Sequence, residues 1–220
     1  MIWGWIPRNV ELIVDRTIEH LWLALLPVLL GLVISVPLGW LATRTALART
    51  VLVTVTGLLY TVPSLALIVM LPLVLGTQIL DPLNVVVALT IYTVALLVRS
   101  VADALDAVPP VVVAAATAMG YPPWRRFLAV ELPLAVPVIV AGLRVAAVSN
   151  TSLVTVGALV GLGGLGQLFT EGFQRDIPSE ILTGIVVVLL LALVLDALLL
   201  ALGRAVTPWT RAGADAGRAR

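Results

Sequence analysis

Long apolar runs, each about the length of a membrane-spanning helix, dominate this sequence. They lie near residues 20–41, 51–76, 84–100, 132–156 and 180–203. The hydrocarbon core of a bilayer is about 30 Å thick, so a helix needs roughly 20 apolar residues to cross it. Hydrophobic residues make up 61% of the chain and charged residues 11%, which excludes an ordinary soluble domain. The sequence therefore predicts an all-α, multi-pass membrane helix bundle of about five transmembrane helices.

The arginines are distributed unevenly among the connections between these runs. One set of connections carries nine of the 13 basic residues, and the opposite set carries three. The larger set comprises Arg44, Arg49, Arg99, Arg125, Arg126, Arg204, Arg211, Arg218 and Arg220. Because cytoplasmic loops of membrane proteins are enriched in basic residues, we expect the larger set in the cytoplasm. The N-terminus is then outside and the C-terminus inside a bacterial-type plasma membrane.

The chain divides into three parts on this basis. Residues 1–19 mix charged and apolar side chains without a signal-peptide cleavage pattern, so we expect them to remain as an extracytoplasmic or interfacial segment. Residues 20–203 form the transmembrane domain, with a cytoplasmic connection at 101–131, and residues 204–220 form a cytoplasmic tail. Prolines and glycines interrupt the first two runs and predict bends there. These residues are Pro27, Gly31, Pro37, Gly39, Pro63 and Pro72.

Composition also excludes several kinds of chemistry. The chain has no Cys and a single His, so it offers neither sulfur ligands nor several histidines for a metal. It has no Lys, so it cannot supply a P-loop lysine for ATP hydrolysis. No nucleophile lies beside a general base. We therefore expect no catalytic residue, no metal, no cofactor and no nucleic-acid partner.

One cytoplasmic segment, AAATAMGYPPWRRFLAVELPLAVP at 114–137, is unusual in so apolar a chain. Pro109 and Pro110 can begin a helix, which the sequence predicts over residues 111–119 with an end at Gly120. A face of small and apolar residues can fit a groove on a cytoplasmic partner. That face comprises Ala114, Ala115, Ala118, Met119 and Tyr121.

The two arginines that follow this predicted helix add charge to the same segment. Arg125 and Arg126 can pair with carboxylates of the partner or with the headgroups of anionic membrane lipid. The alternative is an ordinary cytoplasmic loop whose arginines only set the orientation of the chain.

Three motifs in order give a family resemblance. The pattern A-A-x-x-M-G, then W-R-R, then V-E-L-P-L-A-x-P-V-I-x-A-G-x-R resembles the loop of permease subunits of binding-protein-dependent ABC importers. YTVPSLAL at 60–67 and ALVGLGGLGQLFTEGF at 158–173 are similar to the permeases of the osmoprotectant branch, which import glycine betaine, carnitine and choline. The resemblance covers about residues 15–203.

This resemblance implies a type I ABC importer permease fold and three partners. The loop would be a coupling helix that docks onto a separate cytoplasmic ATPase. An extracytoplasmic binding protein would deliver the substrate, and a second permease, identical or different, would complete the path. The family's loop usually begins with a Glu that pairs with a basic residue of the ATPase, whereas this chain has Ala114 there. Exposed ion pairs contribute less than about 1 kcal/mol, so docking is expected to persist, or else a different second permease carries the Glu.

A polar cluster lies in the fourth apolar run. It comprises Ser149, Asn150, Thr151, Ser152 and Thr155. Polar groups in lipid are costly without partners, so we expect the cluster to face the bundle interior and line a translocation path, Asn150 foremost. The alternative is that these side chains hydrogen-bond between packed helices.

Two further features of the apolar runs bear on function. Arg144 lies roughly 16 Å along its helix from Pro133 and needs either a partner, for which Asp196 is the candidate, or a route for its side chain to the interface. The glycine-rich segment that begins at residue 161 is expected either to dock or gate against the binding protein or simply to connect two helices. Other functions stay open: a permease for another amino-acid-like solute, or a membrane scaffold without a path.

Overall fold

The computed structural model describes residues 4–209, so Arg211, Arg218 and Arg220 of the predicted tail lie outside the described residues. Nine helices follow one another within the described part of the chain. They are α1 (Val10–Ala42), α2 (Ala46–Thr61), α3 (Ser64–Leu75), α4 (Pro82–Asp106), α5 (Pro110–Ala118), α6 (Pro123–Arg126), α7 (Leu132–Gly157), α8 (Gln167–Gln174) and α9 (Pro178–Val206). A 3-10 turn, Ile6–Arg8, precedes α1, and a π-helical turn, Phe127–Glu131, joins α6 to α7.

Four of the described helical segments are long and apolar enough to cross a membrane: α1, α4, the α6–α7 unit and α9. Helices α2 and α3 reach that length only as a pair, and they are bent by 102° relative to each other. The predicted all-α bundle of about five transmembrane helices is confirmed, with the second predicted span present as a broken one.

The break between α2 and α3 has a local cause. Val62 and Pro63 have extended backbones, with ψ of 130° at both residues. A proline disfavours the helical conformation of the residue before it and lacks an N–H group to continue the ladder. The prolines inside α1 and α3 do not end those helices. Helix α1 is continuous from Val10 to Ala42 and includes the first predicted span.

Helix α1 packs along α4 through small residues spaced four apart. Gly31, Ser35 and Gly39 are all buried, and a β-carbon on Gly31 would overlap the side chain of Thr93. A β-carbon on Gly39 would lie 2.5 Å from Val101 Cγ1. Small residues at this spacing let two membrane helices approach closely. These glycines, which the sequence predicted to bend α1, instead form its contact with α4.

The bundle has two distinct ends. At one end, Arg49 of α2 donates hydrogen bonds to Asp103, at 2.5 Å, and to Asp106, both of α4. The α1 ring of Trp40 lies 5.0 Å from the ring of Phe127, which brings the π-helical turn to the same place. This end, defined by Arg44, Arg49, Arg125 and Arg126, is called the basic end below. The opposite end holds the first turns of α1, residues 161–166, called the glycine loop, and helix α8.

Candidate functional site: an exposed helix and a buried polar junction

Helix α5 lies at the basic end between the spans α4 and α7. Its C-terminus is a Schellman motif, in which Tyr121 N–H donates to the carbonyl of Ala116 at 3.2 Å and Gly120 N–H to that of Thr117 at 3.0 Å. Gly120 has a φ of +83°, a conformation that glycine adopts without steric cost. The helix therefore begins and ends where the sequence predicted.

The outer face of α5 is small, apolar and open to solvent. Ala116 is its buried anchor. Its exposed small and apolar residues are Val111, Ala114, Ala115, Ala118, Met119 and Gly120, with the polar Thr117 also exposed, while Tyr121 is half-buried. Beneath the helix, Ala114 also lines a cavity of about 400 Å³, together with Arg44 and Asp106. A short rigid helix with such a face suits insertion into a groove of another protein.

The two arginines after α5 have different surroundings. Arg126 donates from Nε to Glu131 Oε1 at 2.5 Å and from a terminal nitrogen to Thr117 Oγ1 at 2.7 Å. Two of its five N–H donors are thus used within the chain, and its pairing with a partner's carboxylate or with lipid stays a prediction. Arg125 is exposed and lies 5.6 Å from the centre of the Tyr121 ring.

Because of these bonds, Arg126 ties the last turn of α5 to the start of α7. Glu131 belongs to the π-helical turn, and irregular turns of this kind often occur at functional sites. The side chains of Arg126 and Glu131 are only 17% and 10% exposed. These bonds connect α5 to a helix that is long and apolar enough to cross a membrane.

The polar cluster of α7 is split between the protein interior and its surface. Asn150 is 1% exposed, and its Nδ2 donates to Thr93 Oγ1 at 2.9 Å and to the carbonyl of Ala24 at 3.5 Å. Thr151 is also buried and donates to the carbonyl of Ala147 at 2.8 Å. These two residues lie where α1, α4 and α7 meet, which is the packing role that the sequence left open.

The other members of the cluster lie toward the surface of the single chain. Ser152 is exposed, while Ser149 and Thr155 are half-buried. Thr155 Oγ1 donates to the carbonyl of Ser152 at 2.6 Å, so its hydroxyl is already used within α7. Only Ser149, Ser152 and Thr155 therefore have access to a path outside this chain.

Arg144 and Asp196 are brought together by the packing of α7 on α9. Arg144 donates from Nε to Oδ1 at 2.8 Å and from a terminal nitrogen to Oδ2 at 2.7 Å. Such a two-bond geometry matches the planar guanidinium to the carboxylate. A partner for Arg144 removes the need for its side chain to reach the interface.

The glycine loop is held by two side chains of α1. His20 is fully buried, its Nε2 lies 2.9 Å from the carbonyl of Thr151, and its Nδ1 accepts from Leu165 N–H at 3.2 Å. Since a backbone N–H is a donor, Nδ1 must be the acceptor, and Nε2 donates as the neutral tautomer. Glu19 accepts from Gly164 N–H at 2.9 Å. Sequence reasoning missed this contact, and a lone histidine in an apolar run is the signal that could have indicated it.

Gly163→Ala is expected to release the glycine loop from α1. The added methyl group would overlap the carboxylate of Glu19, so the bond from Glu19 to Gly164 N–H must break. Hydrogen–deuterium exchange of residues 161–166 should rise about tenfold, as expected when one net hydrogen bond is lost. The matched control is Gly157→Ala, whose methyl group would meet Val85 at an ordinary 3.5 Å. Unchanged exchange in Gly163→Ala would contradict the contact.

The elbow between α2 and α3 was recognised in the sequence only as a proline site. Its residues Thr61, Val62 and Pro63 are exposed in the single chain. Tyr92 of α4 donates a hydrogen bond from its hydroxyl to the carbonyl of Val62, which holds the elbow against α4. Irregular backbone is tolerated at membrane depth only where it is covered by protein or lines water. The Val62 N–H donates to the carbonyl of Leu59 and the Val62 carbonyl accepts from Tyr92, so both groups have partners within the chain.

Comparisons with known proteins agree over most of the chain. Residues 22–212 match the family described as "binding-protein-dependent transport system inner membrane component". The osmoprotectant import permease protein OsmW of Salmonella typhimurium is 37% identical over 203 residues, covering 91% of this chain and 94% of that protein. The glycine betaine/carnitine/choline transport system permease protein OpuCB of Bacillus subtilis is 31% identical over 193 residues, covering 88% of each.

A solved structure is similar in fold as well as in sequence. It is a chain of the MetNI methionine ABC transporter in an inward-facing conformation. The two chains superpose with a TM-score of 0.81 at 27% identity, over 91% of this chain and 98% of that one. The similarity therefore includes the arrangement of the helices described above.

Proposed function

The chain belongs to the family of inner membrane components of binding-protein-dependent transport systems, and we propose that it is the permease subunit of an ABC importer for a quaternary ammonium osmoprotectant. It forms the translocation path with a second permease, identical or different. A separate cytoplasmic ATPase drives transport, and an extracytoplasmic binding protein delivers the substrate. The basic end faces the cytoplasm, because basic residues are retained on that side of a membrane.

The observation that carries this proposal is the exposed helix α5, seated at the basic end and tied to α7. A docked ATPase that closes on ATP binding displaces α5. Arg126 and Glu131 pass that displacement to α7, whose polar junction with α1 and α4 lies deeper in the membrane. Substrate and ATP then shift the equilibrium between inward-open and outward-open arrangements. Family members that import osmoprotectants support the substrate class.

ATP hydrolysis by the reconstituted transporter tests this proposal. The permease is reconstituted in proteoliposomes with its partner ATPase and binding protein, and glycine betaine, carnitine or choline is added. Ligand should stimulate hydrolysis, and Gly120→Asp should reduce that stimulation about tenfold, because a loss of about 1.4 kcal/mol in docking is a factor of ten. A charge on this exposed apolar surface also opposes docking in a groove.

The matched control is Gly76→Asp at the opposite end of the bundle. Gly76 has a similar left-handed backbone, with a φ of +69°, and both positions have open space around an added β-carbon. The backbone strain is therefore comparable, and Gly76→Asp should retain stimulation. If both variants lost ligand-stimulated hydrolysis equally, backbone strain would explain the loss, and docking through α5 would be contradicted. Stimulation by a different amino-acid-like solute alone would keep the permease assignment and replace the substrate class.

A further inference from the structure

A groove runs between α2 and α4 on the surface of the single chain. Its part nearer the elbow has a volume of about 270 Å³ and is lined by Gly57, Tyr60, Ala95, Leu96 and Arg99. Nearer the basic end it continues into a hollow of about 220 Å³ that shares Arg99. The first part is called the Tyr60–Arg99 groove below.

Arg99 is an exposed cation near the basic end, and the carboxylate beside it is that of Asp103. The sequence counted it among the loop arginines, but the structure places it inside α4, roughly 10 Å from the end of that helix. Its side chain is 71% exposed, and its Nε lies 3.7 Å from Asp103, beyond hydrogen-bonding distance. The other carboxylate oxygen of Asp103 accepts from Arg49 at 2.5 Å. Because a guanidinium does not face hydrocarbon, this surface faces water or another protein.

The aromatic side of the groove is held in place by the elbow. Tyr60 is 46% exposed, and its ring lies edge-on to the ring of Tyr92, with 5.6 Å between centres. Tyr92 is itself bonded to the carbonyl of Val62. The exposed guanidinium of Arg99 therefore places the Tyr60–Arg99 groove beside water or protein rather than in hydrocarbon.

The two ends of the groove recognise opposite charges. The face of a tyrosine ring attracts a quaternary ammonium group through cation–π interaction. The planar guanidinium of an arginine pairs with a carboxylate through two parallel hydrogen bonds. A small molecule that carries both groups satisfies Tyr60 and Arg99 together, whereas a cation without a carboxylate gains nothing from Arg99.

We propose that the Tyr60–Arg99 groove is a weak substrate site on the translocation path, selective for zwitterions that combine a quaternary ammonium with a carboxylate. This inference rests on the proposed function and narrows its substrate class. Glycine betaine and carnitine fit the groove, and choline, which lacks a carboxylate, does not. The site is weak because the groove is open and Arg99 is hydrated, which suits a step through which the substrate must pass.

Saturation-transfer NMR on the purified permease–ATPase complex, without the binding protein, tests the site directly. The probes are glycine betaine and choline, whose N-methyl protons are easily followed. Wild type should bind glycine betaine more tightly than choline. Arg99→Gln should weaken glycine betaine binding about tenfold or more, the effect of losing hydrogen bonds to a charged group, and leave choline binding unchanged or tighter.

Matched variants test whether the ring or the hydroxyl of Tyr60 contributes to binding. They also test whether Arg99 acts through its charge alone or through its planar geometry as well. Tyr60→Leu should weaken glycine betaine binding, whereas Tyr60→Phe, which keeps the ring, should not. Arg99→Lys should recover part of the binding lost in Arg99→Gln, because the charge remains but the two-bond geometry does not. Glycine betaine that binds Arg99→Gln and wild type equally would overturn the proposal and assign Arg99 to an interfacial anchor.

Uptake by the complete transporter distinguishes failure of this site from failure of the proposed function. With its binding protein and ATPase present, wild type should import glycine betaine. If wild type imports glycine betaine but Arg99→Gln does not change glycine betaine binding in the NMR experiment, the importer function stands. The proposal that the groove is a substrate site is then overturned. No import of glycine betaine, carnitine or choline would overturn the substrate class on which the groove rests.

Discussion

Gly31→Leu is expected to prevent the permease from folding into a stable bundle. A β-carbon at this position already overlaps Thr93, and leucine adds three further carbons in the same direction. Helices α1 and α4 must then separate and the Thr93 side chain must shift, which disturbs the bond that Thr93 accepts from Asn150 at 2.9 Å and opens the contact around Ser35. Overpacking costs about 1–3 kcal/mol and sometimes more. We expect Gly31→Leu to lower the free energy of unfolding by about 3 kcal/mol or more, which is a large part of the total stability of a typical domain.

Thermal unfolding in detergent and the yield of monodisperse protein measure this effect. The matched control is Gly57→Leu, in the neighbouring helix α2, where an added β-carbon would meet nothing within 4 Å. Gly57→Leu should unfold at or above the wild-type temperature, because leucine has the higher helix propensity. A wild-type melting temperature for Gly31→Leu would contradict the close approach of α1 and α4.

Loss of either member of the Arg126–Glu131 pair is expected to uncouple α5 from α7. In Glu131→Gln the guanidinium of Arg126 stays largely buried without its carboxylate, and in Arg126→Gln the contact to Thr117 weakens as well. Removing one partner of a buried ion pair lowers the free energy of unfolding by about 3–5 kcal/mol. Because this pair is slightly exposed, we expect the lower value. Ligand-stimulated ATP hydrolysis should fall about tenfold or more, since 1.4 kcal/mol lost from coupling is a factor of ten.

A double-mutant cycle separates coupling within the pair from damage by either change. If the pair acts as a unit, the double variant should lose less than the sum of the single variants, with an interaction energy of about 1 kcal/mol or more. The control cycle uses Arg175 and Glu171 of α8 and its flank, whose side chains are 55% and 33% exposed. An exposed pair contributes about 0.3–0.5 kcal/mol, so this cycle should be nearly additive. Additive losses for Arg126 and Glu131 would contradict their role as a tie.

Several features of the chain were predictable from local chemistry. The apolar runs predicted spanning helices because a helix must be apolar over the thickness of a bilayer. Two prolines and one glycine predicted helix α5, because both residue types act through the backbone itself. The family resemblance of the three motifs is confirmed by the match over residues 22–212.

Other features could not be predicted, because they depend on which helices become neighbours. In the sequence, Gly31 is compatible both with a bend in its helix and with a close contact to another helix. Only the position of α4 in the fold shows the close contact. Asn150 is polar in either role, and only the fold brings Thr93 and Ala24 within hydrogen-bonding distance of it. His20 was a lone residue in the sequence until the fold placed Thr151 and Leu165 on its two nitrogens.

The sequence by itself determined that this protein crosses a membrane several times and carries a short helix between two spans. These properties follow from local hydropathy and from backbone chemistry. The tertiary structure alone decided the partners of Arg126, Arg144, His20 and Asn150, and the groove that joins Tyr60 to Arg99. The physical reason is that hydrogen bonds and ion pairs join atoms from different helices, and their distances exist only once the helices have packed.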